Sequence, residues 1–331
     1  MLIMTSLEKS ILATIIYYDI FDFPLTLMEA FNLLINPRRI SASEESKELN
    51  LGQVLKSLEK LKELDEINEW QGFYFLTNNA KGKLVVQERL EKNKIAEEKW
   101  KKTRRYVFWV QVLPYIEAVF ASGSLALGHT TEESDLDVLV VTSQGRIWLA
   151  RVFISLLMGL LGVRRKKSQI TAPDKICLNH YITSSSLKIS FESLYNAQSY
   201  AHLVPVYFHK EGLIECFWQE NKWVLKFVNN WPSPLLYQKR KVRLNLFLRA
   251  TAFFSEKFLE VSFLGSILNK LAKKIQLKRI NPNLPGRVTA NDQQLEFHPY
   301  SAEKTVLEKY NQTIASSGIF GGYYEIDSGL K

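Results

Sequence analysis

The nineteen residues GSLALGHTTEESDLDVLVV, Gly123 to Val141, constrain this chain more than any other stretch. Four consecutive apolar residues, Val138 to Val141, are led by an acidic, apolar, acidic triplet, Asp135-Leu136-Asp137. Side chains along a strand alternate faces, so the two carboxylates project to one side, with Cα atoms roughly 7 Å apart. Carboxylates at the head of an apolar strand cost solvation unless a cation sits between them. Such a pair makes a clamp for a divalent metal, and magnesium prefers one or two carboxylates completed by phosphate oxygens. Upstream, the strand-like EAVFAS runs into Gly123-Ser124 at the start of a short helical turn. Glycine there lets a phosphate approach the backbone, and free N–H groups and the serine hydroxyl are donors. Ten residues separate Ser124 from Asp135, enough for the turn and a return into the next strand.

With 331 residues, 46% of them hydrophobic, the chain can bury one large core or two to three smaller ones. Its formal net charge of +9 suits contact with polyanions, although scattered lysines that only keep a protein in solution give the same figure. Cys177 and Cys216 lie far apart with no metal-ligand spacing, which argues against a disulfide framework or a zinc site. MLIMTSLEKS lacks the basic and apolar regions of a signal peptide, so a cytoplasmic protein is expected. The run IWLARVFISLLMGLLGV, Ile147 to Val163, carries Arg151 and falls short of the roughly 20 residues a bilayer requires. It reads as a buried helix between two strands, flanked by the basic RRKK, and no stable membrane insertion is expected.

Residues 1–79 read as three helices and a hairpin. Ser6 is placed to cap SLEKSILATIIYYDIF, whose Ile11, Ile15 and Ile16 share a face, and Asp22-Phe23-Pro24 ends it. Leu25 to Leu34 reads as a second helix and the polar SASEESKE as a connection. Leu51, Val54, Leu55, Leu58 and Leu61 mark a third helix. In EWQGFYFLTN, Gly72 separates two short β-prone arms. Residues 80–113 read as a charged connecting helix with an apolar stripe of Leu84, Leu90 and Ile95 and a basic, solvated end from Lys99 to Arg105. Residues 114–190 alternate strand, bend, strand, helix, strand, the last being KICLNHYIT. Residues 191–284 read as helical, from FESLYNAQSYAHLVPVY to the amphipathic RLNLFLRATAFFSEKFLEVSFLGSILNKLAKK, with a break at Trp231-Pro232-Ser233-Pro234. Residues 285–331 hold one helix, SAEKTVLEKYNQTIA, an extended LEFHPYSAE containing His298-Pro299, and a partly loose tail.

A Gly-Ser bend followed by an acidic-apolar-acidic triplet on the next strand resembles the nucleotidyltransferase superfamily typified by DNA polymerase beta and the aminoglycoside nucleotidyltransferases. The resemblance implies an α+β fold, with a small mixed sheet and flanking helices preceded by the N-terminal unit and followed by a mostly helical region. It implies attack of an acceptor hydroxyl on the α-phosphate of a nucleoside triphosphate, ATP being the first choice, with Mg2+ ions clamping the attacking and departing oxygens. Asp135 and Asp137 would hold the metal, and Gly123, Ser124 and Ser134 the nucleotide. Arg146, Lys175 and Lys188 can be nominated to neutralise the leaving group. The order of elements in 1–79 resembles a winged-helix module, with Asn50 to Leu64 as recognition helix and Gln71-Gly72 as wing tip. DNA contact would then fall on Lys56, Lys60 and Lys62, against the dilution of Glu59, Glu63, Asp65, Glu66 and Glu69.

The chain departs from the superfamily pattern at one place. A third acidic residue is expected on the strand after the intervening helix, and KICLNHYIT has none. By alternation Cys177, Asn179 and Tyr181 share a face, with Asn179 the positional counterpart, while His180 points the other way. An amide oxygen can coordinate metal but cannot take a proton at neutral pH. Asp174 and Glu192 are candidate substitutes, and Tyr195, His202 and Tyr207 could line an acceptor cleft. Two functions follow: an enzyme modifying an unknown small molecule, protein or RNA, or a DNA-binding regulator whose nucleotidyltransferase-like domain is catalytically impaired.

Overall fold

The computed structural model describes residues 4–40, 49–166, 169, 171–232, 239–281, 286–299, 301–318, 320 and 324–328. Thr5, not Ser6, caps the first helix, α1 (Ser6–Asp19), because its hydroxyl accepts from the Glu8 amide while the Glu8 carboxylate accepts from the Thr5 amide. Ile11, Ile15 and Ile16 are buried on it. The expected second helix begins late: Leu25 and Thr26 form β1 (Leu25–Thr26), and only then does α2 (Leu27–Asn32) follow. SASEESKE lies outside the described residues. Asn50 caps α3 (Leu51–Glu63), which buries Val54, Leu58 and Leu61 but leaves Leu55 exposed. The hairpin β2 (Ile67–Trp70) and β3 (Phe73–Leu76) turns at Gln71-Gly72, both with positive φ, and β1 pairs with β3 to complete a three-stranded sheet.

Residues 80–113 carry α4 (Leu84–Phe108), but its buried face is not the expected one. Leu84 and Leu90 are exposed, whereas Val85, Val86, Trp100 and Val107 are buried together with two cations, Arg89 and Lys99. Arg89 reaches Glu29 at 2.7 Å and stacks 3.4 Å over the Phe23 ring. A charge run is therefore not uniformly a solvated face: a long cation can be buried where a partner waits for its head group.

The central sheet has six strands in the order β7-β4-β5-β6-β9-β8. Its middle is β4 (Ile116–Ala121), β5 (Leu136–Thr142) and β6 (Ile176–Thr183). Between β4 and β5 lies α5 (Gly123–Leu127), and between β5 and β6 lies α6 (Ile147–Leu160). Strands β5 and β6 are parallel, a pairing that needs a crossover element, which α6 supplies; every other pair in the sheet is antiparallel. The segment expected to be helical after residue 190 yields α7 (Leu194–Ala201) and then, at VPVY, an edge strand, β7 (Val204–Phe208). There follow α8 (Leu213–Glu220), α9 (Leu246–Val261) and α10 (Leu264–Leu277), the last two broken by Phe263 in the left-handed region. Residues 286–299 add β8 (Arg287–Ala290) and β9 (Gln294–His298) to the far edge, so LEFH is paired into the sheet. The final helix is α11 (Glu303–Ser316). The tail beyond it is tied down where described: Glu325 is buried and takes a two-pronged bond from Arg39, and Ser328 bonds Glu303.

Each face of the sheet has its own core. One includes Ala118, Phe120, Leu139 and Ile182 packed with α1, α3, α7 and α11. The other gathers Val119, Val138, Val140 and Tyr181 under α6 and the end of α4. The architecture is α+β with a mixed sheet, and no described helix is long and apolar enough to cross a membrane.

Candidate active site

Strand β4 ends at Ala121, and the chain bends through Ser122 into α5 at Gly123, whose φ is 62°. A Cβ at Gly123 would lie 2.7 Å from Oδ2 of Asp137, so the bend requires glycine for both its backbone angle and its neighbour. The Asp137 carboxylate thus rests against the Gly-Ser bend. The Ser122 amide donates to the Asp137 carbonyl at 3.0 Å, locking the two strands at this point.

Asp135, Asp137 and Cys177 offer ligand atoms all within 4.8 Å of one another, and among the described residues they form the one such group of three or more His, Cys, Asp or Glu. The register explains Cys177: it lies opposite Asp137, but Leu139 lies opposite His180, so β6 carries an extra residue at Leu178-Asn179. That bulge overturns two expectations drawn from regular alternation. Cys177, not Asn179, stands beside Asp137, and His180 shares the Asp137 face instead of opposing it. Asn179 still lines the cleft.

The cleft has a volume of about 1090 Å³ and includes Ser122, Gly123, Asp137, Cys177, His180 and His298 in its wall. Burial, followed by the charge of Asp135, pushes the Asp137 carboxyl up to about 6, while His298, a hydrogen bond with Cys177 and the Arg165 guanidinium oppose the rise. Burial and the two aspartates push the Cys177 thiol up, so it stays protonated. Arg165 pairs with Asp135 Oδ2 and reaches within 3.7 Å of Cys177 Sγ. Paired carboxylates beside an open cleft suit Mg2+, which takes one or two carboxylates and fills its remaining positions with water and phosphate oxygens. A protonated thiol does not suit it, so Asp135 and Asp137 are the groups that fit.

The other candidates are committed elsewhere. Ser134 Oγ accepts from the Thr131 amide and closes a turn in the loop before β5, and Ser124 is outside the cleft wall, which has Ser122 instead. Arg146 is held by Glu260, Lys175 by the Gly162 carbonyl and Lys188 by Glu192. Neither expected substitute carboxylate is free: Asp174 is taken by Lys99 and Lys102, and Glu192 by Lys226 at 2.6 Å. Tyr195 lines the cleft, whereas His202 is held against Tyr18 Oη at 2.7 Å and Tyr207 bonds Arg249.

Sequence reasoning missed the opposite wall. Glu296 on β9 is fully buried, 3.2 Å from Arg287 Nε and 3.0 Å from His298 Nδ1, and β9 pairs with β6 at His180. Burial alone would raise the Glu296 carboxyl, but His180, the His298 hydrogen bond and Arg287 hold it down at about 2. An ionised carboxylate only accepts, so His298 Nδ1 must donate, and in the neutral imidazole Nε2 is then the acceptor. Arg164, Arg165 and Lys166 also line the cleft. Their signal was the RRKK run, legible as positive charge but not as cleft wall.

Residues 91–172, about a quarter of the chain, match the model of the family described as nucleotidyltransferase domain. The match begins within α4 and contains the Gly123-Ser124 bend, both aspartates and α6. It supports nucleotidyl transfer as the general activity. It ends before β6, so Cys177, Glu296 and His298 lie outside it. No curated protein and no solved structure matches the chain.

Proposed function

We propose that this protein is a Mg2+-dependent nucleotidyltransferase that moves a nucleoside monophosphate from a nucleoside triphosphate, ATP first among them, to an acceptor hydroxyl. The observation that carries the reading is the Asp137 carboxylate packed against the Gly123 bend, with Asp135 beside it, in the wall of a cleft large enough for a nucleotide. Asp135 and Asp137 hold the metal in this reading, and the metal, when bound, neutralises charge on the transferring phosphate. The Gly123 amide and the Ser122 hydroxyl bring donors to the phosphates, and Arg164, Arg165 and Lys166 supply positive charge.

His298 serves as the base that the amide of Asn179, the positional counterpart of the third acidic residue, cannot be. Its Nδ1 is fixed on Glu296, so in the neutral imidazole Nε2 can receive a proton, and His298 and Asp137 both stand in the cleft wall. An acceptor hydroxyl between the two would lose its proton to His298 as it attacks. The acceptor belongs in the wider cleft around Tyr195, Asn196 and Tyr200.

The test uses α-labelled nucleoside triphosphates with Mg2+, comparing the natural chain with Asp135→Asn/Asp137→Asn and with His298→Gln. The double variant should neither bind metal-nucleotide nor transfer label, and His298→Gln should bind normally while transferring about 10²- to 10⁴-fold more slowly. Unaltered binding by the double variant removes the proposal. The rival reading, a winged-helix DNA-binding regulator, has less support: Lys60 pairs with Glu8 and Lys62 with Glu59, leaving Lys56 as the exposed cation of the three. Salt-dependent duplex binding lost on Lys56→Glu would favour it.

A further inference from the structure

We infer that the outward faces of α9 and α10 dock this protein on an anionic lipid bilayer, as a peripheral contact. On α9 and at the break after it, Phe247, Phe254, Phe258, Val261 and Phe263 are between 66% and 79% exposed. They recur at helical spacing, opposite the face by which Ala252, Glu256 and Leu259 meet the body. On α10, Ile267, Leu271 and Ile275 are likewise exposed, opposite Ser266, Asn269 and Gln276, which bond α6 or the residue before it. The two helices contact each other, so the stripes lie on neighbouring helices. A soluble monomer rarely leaves so many large apolar side chains uncovered.

Charge identifies the occupant. Residues 239–281 hold eleven Lys and Arg against two Glu, Glu256 and Glu260, and so account for the whole formal net charge of +9. Both glutamates face the body, where Glu256 accepts from the Tyr115 amide and Glu260 pairs with Arg146. Lys270, Lys274 and Lys278 are exposed on α10 beside the apolar stripe. A second copy is a poor cover, because a self-complementary contact would bring the two sets of cations together. Nucleic acid would match the charge but not the phenylalanines. Apolar side chains interleaved with cations on a helix lying flat are what an anionic headgroup layer accommodates, with the rings entering the acyl boundary and the ammonium groups remaining among the phosphates. No described helix is long and apolar enough to span, which keeps the contact at the surface.

Co-sedimentation of the full chain with vesicles of phosphatidylcholine alone, or mixed with phosphatidylglycerol, tests this. Binding should be at least about tenfold tighter to the anionic vesicles and weaken with salt. Phe254→Ser/Phe258→Ser and, separately, Lys270→Glu/Lys274→Glu should each reduce it at least about tenfold. All four positions are exposed, and an unchanged thermal transition confirms folding. The inference is overturned if the natural chain ignores anionic vesicles, or if the phenylalanine variant binds them unchanged. It is also overturned if sedimentation equilibrium finds a dimer that the phenylalanine variant dissolves. Loss of nucleotide transfer in the aspartate variant leaves this result untouched, so the two proposals fail separately.

Discussion

Replacing Gly123 with alanine tests the geometry of the site more sharply than removing a carboxylate. Two costs arise. At a φ of 62° an L-residue is strained by roughly 1–2 kcal/mol. The new Cβ also falls 2.7 Å from Asp137 Oδ2, where ordinary contact begins near 3.4 Å, so the carboxylate or the bend must give by about 0.7 Å. Metal sites hold ligand distances to within about 0.2 Å, so a shift of that size removes Asp137 from a useful position. Gly145 provides the control: its φ is 68°, yet nothing lies within 4 Å of the Cβ it would gain. Both alanine variants should lose about 1–2 kcal/mol in urea unfolding. Gly123→Ala alone should weaken binding of Mg2+ with a non-hydrolysable triphosphate, by at least about tenfold in titration calorimetry. Equal affinity in the two variants, or an undisturbed Gly123→Ala, would refute the claim that the bend and Asp137 form one site.

Glu296→Gln leaves Arg287 without its buried counter-ion and should cost about 3–5 kcal/mol in denaturant unfolding. Because the folded-state Glu296 carboxyl titrates near 2, below its ordinary 4.5, its stabilisation is whole above about pH 4.5 and lost as pH falls toward 2; the glutamine variant should flatten that part of the curve. Asp137 has the opposite sign: raised from 3.8 to about 6, it favours the folded state below about pH 3.8 and loses that contribution as pH rises through 6, while Mg2+ affinity should rise over the same interval. Lys99→Met frees the carbonyls of Glu132 and Ser134 that the buried ammonium holds, at 3.0 and 2.8 Å, and should lower both stability, by about 1–3 kcal/mol, and metal binding at the neighbouring Asp135. Arg165→Ala should weaken triphosphate binding by about tenfold or more while leaving the fold intact, as thermal denaturation and calorimetry would show.

The part of the site that could be read in the sequence is the part built from near neighbours. A glycine bend, a ten-residue return and a two-residue period lie within one short stretch, and the backbone rules that join Gly123 to Asp137 act over that distance. The order β5, α6, β6 was legible for the same reason, since an apolar helical run stands between two apolar strand-like runs, and the parallel pairing of the two strands followed from the fold. What failed was whatever depended on pairing at long range. The extra residue in β6 cannot be seen in KICLNHYIT, because a bulge belongs to the match between two strands and not to either sequence; it put Cys177 and His180 on the Asp137 face. The buried state of Lys99 and Arg89 was hidden in a charge run because it depends on Asp174, Glu29 and two loop carbonyls far along the chain. The His298–Glu296 pair reaches the cleft only because β9, more than a hundred residues after β6, satisfies the open hydrogen-bonding edge of that strand. Sequence alone determined the Gly-Ser bend and the two aspartates on the strand that follows it, since local geometry suffices for them. The tertiary structure decided which histidine, which cations and which thiol stand around that bend, because those choices follow from burial and strand pairing that no short stretch of chain contains.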